Sequence, residues 1–146
     1  MLKKVEKYRE INRLMRAYMM KLTHYFGKEA SNSDLTPQQG HTLIYLSNNP
    51  GAMQRELGKY FHLRDASITN MVKNLERYGY IIRKIDEKSA RIKRIYLTPA
   101  GKEKVEEIKE QLNKSNEKIA EYINDDLLER LENDLKELNA SLKELK

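Results

Sequence analysis

Apolar residues recur at steps of three and four from the start of the chain: Leu2, Val5, Tyr8, Ile11, Leu14, Met15, Tyr18, Met19, Leu22, Tyr25 and Phe26. That period gathers them on one face of an amphipathic helix of about 25 residues, roughly 37 Å long. The helix is expected to end near Gly27, with Ser31-Asn32-Ser33-Asp34 as a loop. Thr36-Pro37-Gln38-Gln39 then marks a second helix start. Threonine caps, proline suits the first helical position, and a glutamine three residues after the cap completes a capping box. Leu43, Ile44 and Leu46 carry this helix on, and Asn48-Asn49-Pro50-Gly51 stops it.

Two short helical patterns follow almost without a gap. Residues 54–60 carry Leu57, with Phe61 next; after His62-Leu63-Arg64, residues 65–78 carry Ile68, Met71, Val72 and Leu75. Asp65 is placed to cap the second helix, and Gly79 stands where a left-handed C-terminal residue is wanted. Two helices joined by three or four residues form a helix-turn-helix pattern. Gly58 lies inside the first of the pair, where glycine costs up to about 1 kcal/mol against alanine. Close approach of the second helix would account for it.

Residues 80–85 and 92–97 are β-prone and are separated by 86–91, which suggests a hairpin whose connection lacks an Asn-Gly or Asp-Gly turn. Thr98-Pro99 opens a further helix by the same cap-and-proline chemistry. Val105, Ile108, Leu112, Ser115, Ile119 and Tyr122 then keep a three-four step, with Ser115 as a polar interruption. After a break and new cap at Asn124-Asp125-Asp126, the step resumes at Leu128, Leu131, Leu135, Leu138, Leu142 and Leu145. Seams this narrow suit helix-on-helix packing, either against a second copy of the chain or against its own first helix.

Charge sharpens the picture. The net charge is +6, yet residues 36–97 hold 11 basic against 5 acidic side chains, while residues 98–146 hold 9 against 13. A basic middle beside an acidic tail points to a localised polyanion-binding surface. The absence of cysteine excludes disulfides, thiolate metal sites and thiol nucleophiles. His24, His41 and His62 lie on separate segments without metal-ligand spacing, so no metal or cofactor is expected. No phosphate loop, Ser-His-Asp arrangement or H-E-x-x-H pattern is present, and nothing points to an enzyme. Without a long apolar run or a signal-peptide core, a soluble cytoplasmic protein is expected.

On the helix at 65–78, Ile68, Val72 and Leu75 make the core stripe. Ser67, Thr69, Asn70, Lys73, Asn74 and Arg77, with Arg64 in the preceding turn, are left on more exposed faces. Short polar and basic side chains there can reach base edges and phosphates from the major groove. The hairpin just beyond carries Arg83, Lys84, Lys88, Arg91, Lys93 and Arg94. Arginine on an extended segment suits the focused negative potential of a narrow minor groove.

Taken in order, Leu57-Gly58, Ser67-x-Thr69, Val72-x-x-Leu75-Glu76-x-x-Gly79-Tyr80-Ile81-x-Arg83, Arg91 and Leu97-Thr98-x-x-Gly101 resemble the MarR family of winged-helix transcriptional regulators. The resemblance is most specific between Leu57 and Gly101. It implies a mainly α fold with a small β-wing: a winged helix-turn-helix at 36–101, between dimerisation helices at 1–35 and 102–146. It also implies an interleaved homodimer in which Leu14, Tyr18, Leu128, Leu131, Leu135, Leu138 and Leu142 take part. The helix at 65–78 would enter the major groove, and the wing at 86–91 would meet the minor groove.

Members of this family commonly repress transcription from pseudo-palindromic operators, and many release DNA when a small, often aromatic ligand binds. Three positions depart from the family pattern. Ser89 stands where the wing usually has aspartate, leaving Arg91 without its usual brace; Met53 replaces a capping Thr or Ser; and Gly58 replaces a frequent alanine. The competing reading is a helical protein-interaction module whose basic hairpin binds RNA or anionic membrane without sequence preference.

Overall fold

The computed structural model describes residues 1–29 and 34–145, so Ser31, Asn32 and Ser33 of the expected loop lie outside the described residues. The chain divides into two compact units, Met1–Glu106 and Glu107–Lys146.

The first unit opens with α1 (Leu2–Glu29), which runs through Gly27 instead of ending there. A side chain at 27 would meet nothing within 4 Å, and Lys28 in the last turn suits the negative end of the helix dipole. A single glycine is tolerated where no cap or proline follows to stop the helix. The apolar stripe is largely uncovered in the single chain: Leu14 and Tyr18 are each 52% exposed.

Next come α2 (Pro37–Asn48), β1 (Ala52–Met53), α3 (Gln54–Phe61), α4 (Asp65–Arg77), β2 (Ile81–Asp86), β3 (Ser89–Leu97) and α5 (Pro99–Ala120), which runs on into the second unit. The expected capping box at α2 is present: the Gln39 N–H donates to Thr36 Oγ1 at 3.2 Å, and the Thr36 N–H donates to Gln39 Oε1 at 3.0 Å. The buried Thr42 hydroxyl is satisfied by the Gln38 carbonyl one turn back.

Several local expectations need correction. Arg64, in extended conformation, is the N-cap of α4, and Asp65 is its first helical residue, where its charge still suits the positive helix end. The turn before it places His62 in the left-handed region at φ 53°, so the α3 C-cap conformation comes without a glycine. Gly79 adopts φ 80° as expected, and the Tyr80 N–H donates to the Leu75 carbonyl to close the end of α4. At Gly58 an added Cβ would lie 3.5 Å from the Leu63 carbonyl oxygen and 3.8 Å from Ile68 Cγ1, which are ordinary contacts. Helix crossing therefore does not demand a glycine there.

The three strands form an antiparallel sheet in the order β1-β3-β2. The two-residue β1, too short for any periodicity to announce it, pairs Ala52 with Ile95 and Met53 with Arg94. Residues 86–91 are mostly strand and not loop: only Glu87 and Lys88 connect β2 to β3. The chain turns there because the Asp86 carboxylate accepts the Lys88 N–H at 3.2 Å, a side-chain turn that needs no Asn-Gly. A register shift at Ile85/Asp86 accompanies it. The core of this unit is made by Leu43, Leu46, Leu57, Ile68, Val72, Leu75, Ile81, Ile95 and Val105, all fully buried. It forms where α4 packs on α3 and β2, and α2 on β3.

The second unit contains the rest of α5 and α6 (Asp125–Ser141). Asn124 is the cap of α6, its side-chain oxygen accepting the Leu127 N–H at 2.8 Å, with Asp125 and Asp126 in the first turn. No residue of α6 is buried in the single chain; Leu131 and Leu135 are each 44% exposed.

Candidate nucleic-acid interface

α4 turns Ile68, Met71, Val72 and Leu75 inward, which leaves Ser67, Asn70, Lys73 and Arg77 exposed along the opposite side, with Arg64 exposed at its N-cap. Thr69 and Asn74 are half-buried. Thr69 is committed to the protein: its hydroxyl accepts from Gln54 Nε2 at 2.8 Å, tying α4 to the first turn of α3. Arg77 lies over the Tyr78 ring, 5.5 Å from its centroid.

The sheet separates the hairpin cations by environment. Arg83 is half-buried and held by Glu76, with Nε 2.6 Å from the carboxylate, so wing and α4 are joined by an ion pair. That hydrogen bond holds the Glu76 carboxyl below, and the Arg83 guanidinium above, their ordinary pKa values. Lys84 sits 5.4 Å from the Tyr96 ring centroid. Lys88 at the turn and Arg91 and Lys93 on β3 are exposed.

Arg94 supplies the brace that Ser89 cannot. Its Nε is 2.6 Å from Asp86 Oδ1, and another guanidinium nitrogen donates to the Gly51 carbonyl at 3.0 Å. The wing base is thus pinned to the loop after α2, and the arginine hydrogen bond keeps the Asp86 carboxyl below its usual pKa. The missing Ser89 carboxylate therefore does not leave the wing unsupported; a different pair, across the hairpin, holds it.

Met53 gives α3 no side-chain cap, as expected, but Glu56 reaches back to accept the Met53 N–H at 2.8 Å. Beside this helix start lies an open cavity of about 350 Å³ walled by Gln54, Arg55, Arg83, Arg91, Lys93 and Ile95. Sequence reading missed Gln54 and Arg55, because neither lies on the second helix or the hairpin. A second cavity of about 370 Å³ borders His41 and the cluster of Tyr45, Tyr60 and Phe61, where the Tyr45 and Tyr60 rings are 4.5 Å apart. Among the described residues no group of three or more His, Cys, Asp or Glu could hold a metal ion. No described helix is long and apolar enough to cross a membrane.

Two short helices, a three-stranded wing and a cation-rich exposed face define a winged helix-turn-helix of the kind seen in transcriptional regulators. Residues 35–93 match the MarR family. An uncharacterised HTH-type transcriptional regulator of Bacillus subtilis, YybA, is 31% identical over 94 residues, a match covering 64% of this chain and 60% of that protein. The Staphylococcus aureus MepR–DNA complex superposes with a TM-score of 0.77 at 26% identity, covering 90% of this chain and 97% of MepR. Streptococcus pneumoniae FabT in complex with DNA shares the fold, with a TM-score of 0.80 at 22% identity over 95% of this chain and 99% of FabT.

Proposed function

We propose that this chain is a DNA-binding transcriptional regulator that represses from a pseudo-palindromic operator as a homodimer, with its terminal helices interleaved. The observation that carries the reading is the exposed polar face of α4, Ser67, Asn70, Lys73 and Arg77, flanked by the exposed cations Lys88, Arg91 and Lys93 of the wing. A helix face of this chemistry reads bases in the major groove, while the wing anchors on backbone or minor groove. MepR and FabT, which share the fold, have been solved with DNA. Self-association is supported by the uncovered stripe of α1 and the leucine seam of α6. Release by a small, flat aromatic ligand belongs to the same reading, and the cavity beside Tyr45, Tyr60 and Phe61 offers a surface of suitable chemistry.

The test uses a duplex selected from a random pool and its scrambled counterpart, across a salt series. Asn70→Ala should relax sequence preference by about 1–3 kcal/mol, the worth of a bidentate base contact. Arg91→Ala should weaken both duplexes alike and lower the salt slope by about 1 per protomer. If Arg91→Ala abolishes discrimination while Asn70→Ala leaves it intact, readout has been assigned to the wrong element. Equal binding of the parent chain to any polyanion would favour the interaction-module reading instead.

A further inference from the structure

Two of the wing's cations are already paired. Arg83 and Arg94 are each committed to a carboxylate, Glu76 and Asp86 respectively. Arg55, Arg91 and Lys93 have no ion-pair partner among the described residues, and all three wall the same open cavity. Strand alternation explains part of this convergence: Arg91, Lys93 and Ile95 point to one face of β3, and the register sets Arg83 opposite Ile95 on that face. Arg55 comes from the other side, in the first turn of α3. Two nearby acids are already engaged: Glu76 takes two hydrogen bonds from Arg83 and also feels the charge of Lys93, and Glu56 accepts the Met53 N–H. Three cations in no close ion pair among the described residues thus give this cavity of about 350 Å³ a positively charged wall suited to an anion.

The position of the cavity identifies the anion. The cavity lies between the start of α3 and the wing, and Gln54 on its rim also donates to Thr69, so it adjoins α4. In a duplex, the major and minor grooves are separated by a sugar-phosphate strand. If α4 occupies one groove and the wing the next, that strand must cross the surface between them, where these cations stand. An open cavity admits one phosphate of a continuous polymer, and a guanidinium fork can hold it through two hydrogen bonds.

We infer that this cavity is a clamp for a single DNA backbone phosphate, with Arg55 as a contact outside both the reading helix and the wing. The inference rests on the DNA-binding reading above and adds to it the place where the strand crosses. The clamp fixes register and carries no sequence information.

Arg55 is exposed, so its replacement leaves the fold intact. In the full-length chain, Arg55→Ala should weaken the selected and scrambled duplexes by the same factor, roughly tenfold or more per contact. It should lower the salt slope by about 1 per protomer. Arg55→Lys should restore the slope but only part of the affinity, because a point charge lacks the fork. Neutral methylphosphonates walked along the duplex should reveal one position per half-site that weakens the parent chain and leaves Arg55→Ala unaffected. Unchanged affinity and slope in Arg55→Ala, alongside relaxed specificity in Asn70→Ala, would overturn the clamp and keep the DNA reading. The same methylphosphonate profile for both proteins would also overturn it. If the parent chain binds no duplex, the functional reading fails, and the clamp with it.

Discussion

A methyl group at position 101 would collide with the backbone carbonyl of Tyr80, which gives the Leu97-Thr98-x-x-Gly101 pattern its physical meaning. Thr98 donates its hydroxyl to the Gly79 carbonyl at 2.6 Å and accepts the Gly101 N–H at 3.0 Å, so the start of α5 is fastened to the end of α4. There is no room for a side chain at that junction. Gly101→Ala should lower stability by about 1–3 kcal/mol, the usual cost of overpacking, read from urea midpoints at fixed protein concentration. Gly58→Ala should behave in the opposite sense. Its Cβ finds ordinary contacts, so the helix-propensity gain of up to about 1 kcal/mol should appear as increased stability. A large loss in Gly58→Ala would show that the helices cross more tightly than these distances allow.

Among the elements, the wing depends most on charge. Asp86 receives the Arg94 guanidinium and the Lys88 N–H, and Arg94 in turn holds the Gly51 carbonyl. The Asp86 pKa is lowered in the folded chain, chiefly by the arginine hydrogen bond. A depressed carboxylate stabilises the fold above its unfolded pKa of about 4, and the contribution is lost as pH falls through the depressed value. Glu76, lowered by Arg83, acts in the same direction at the other end of the hairpin. Wing geometry should therefore be indifferent to pH near neutrality and loosen only in acid below roughly pH 4. Asp86→Asn should reproduce the loosening at neutral pH. Amide hydrogen exchange across β2 and β3 would show it as faster exchange there, with α4 protection unchanged; uniform acceleration through the unit would instead mean global destabilisation.

The molecule as a whole leaves leucines 128, 131 and 135 exposed along α6, Leu142 exposed at its C-cap, and a tyrosine-methionine stripe exposed along α1. Faces this apolar need cover, and the homodimer supplies it in the proposed function. Lys at both Leu135 and Leu138 should then yield unfolded or aggregated chain, because fold and assembly share apolar surface. A stable folded monomer, seen by sedimentation together with intact helical circular dichroism, would refute the dimer. The absence of cysteine sets a second expectation at this scale. Peroxide at doses that spare the methionines should leave DNA affinity unchanged, whereas rapid loss reversed by a thiol reductant would contradict it.

The sequence by itself determined whatever depends on neighbours a few residues apart. The three-four steps of α1 and α6, the Thr36 capping box, the Asn124-Asp125-Asp126 restart, Gly79 and the inward stripe of α4 are all set by local periodicity and cap chemistry. The family pattern between Leu57 and Gly101 was legible because it combines those local signals at fixed spacing. Only the tertiary structure decided which side chains meet across long separations. β1 exists because β3 offers it a partner, and the hairpin closes at two residues because Asp86 folds back on Lys88. The wing is braced by Arg94 and Asp86 instead of a residue at 89, and Arg55 reaches the same cavity as Arg91 and Lys93. Charge counted along the chain made the middle basic, but pairing in space consumed Arg83 and Arg94 and left Arg55, Arg91 and Lys93 outside any close ion pair among the described residues. Electrostatic interaction falls off with distance through space and not along the chain, so that division could not be read from residue order.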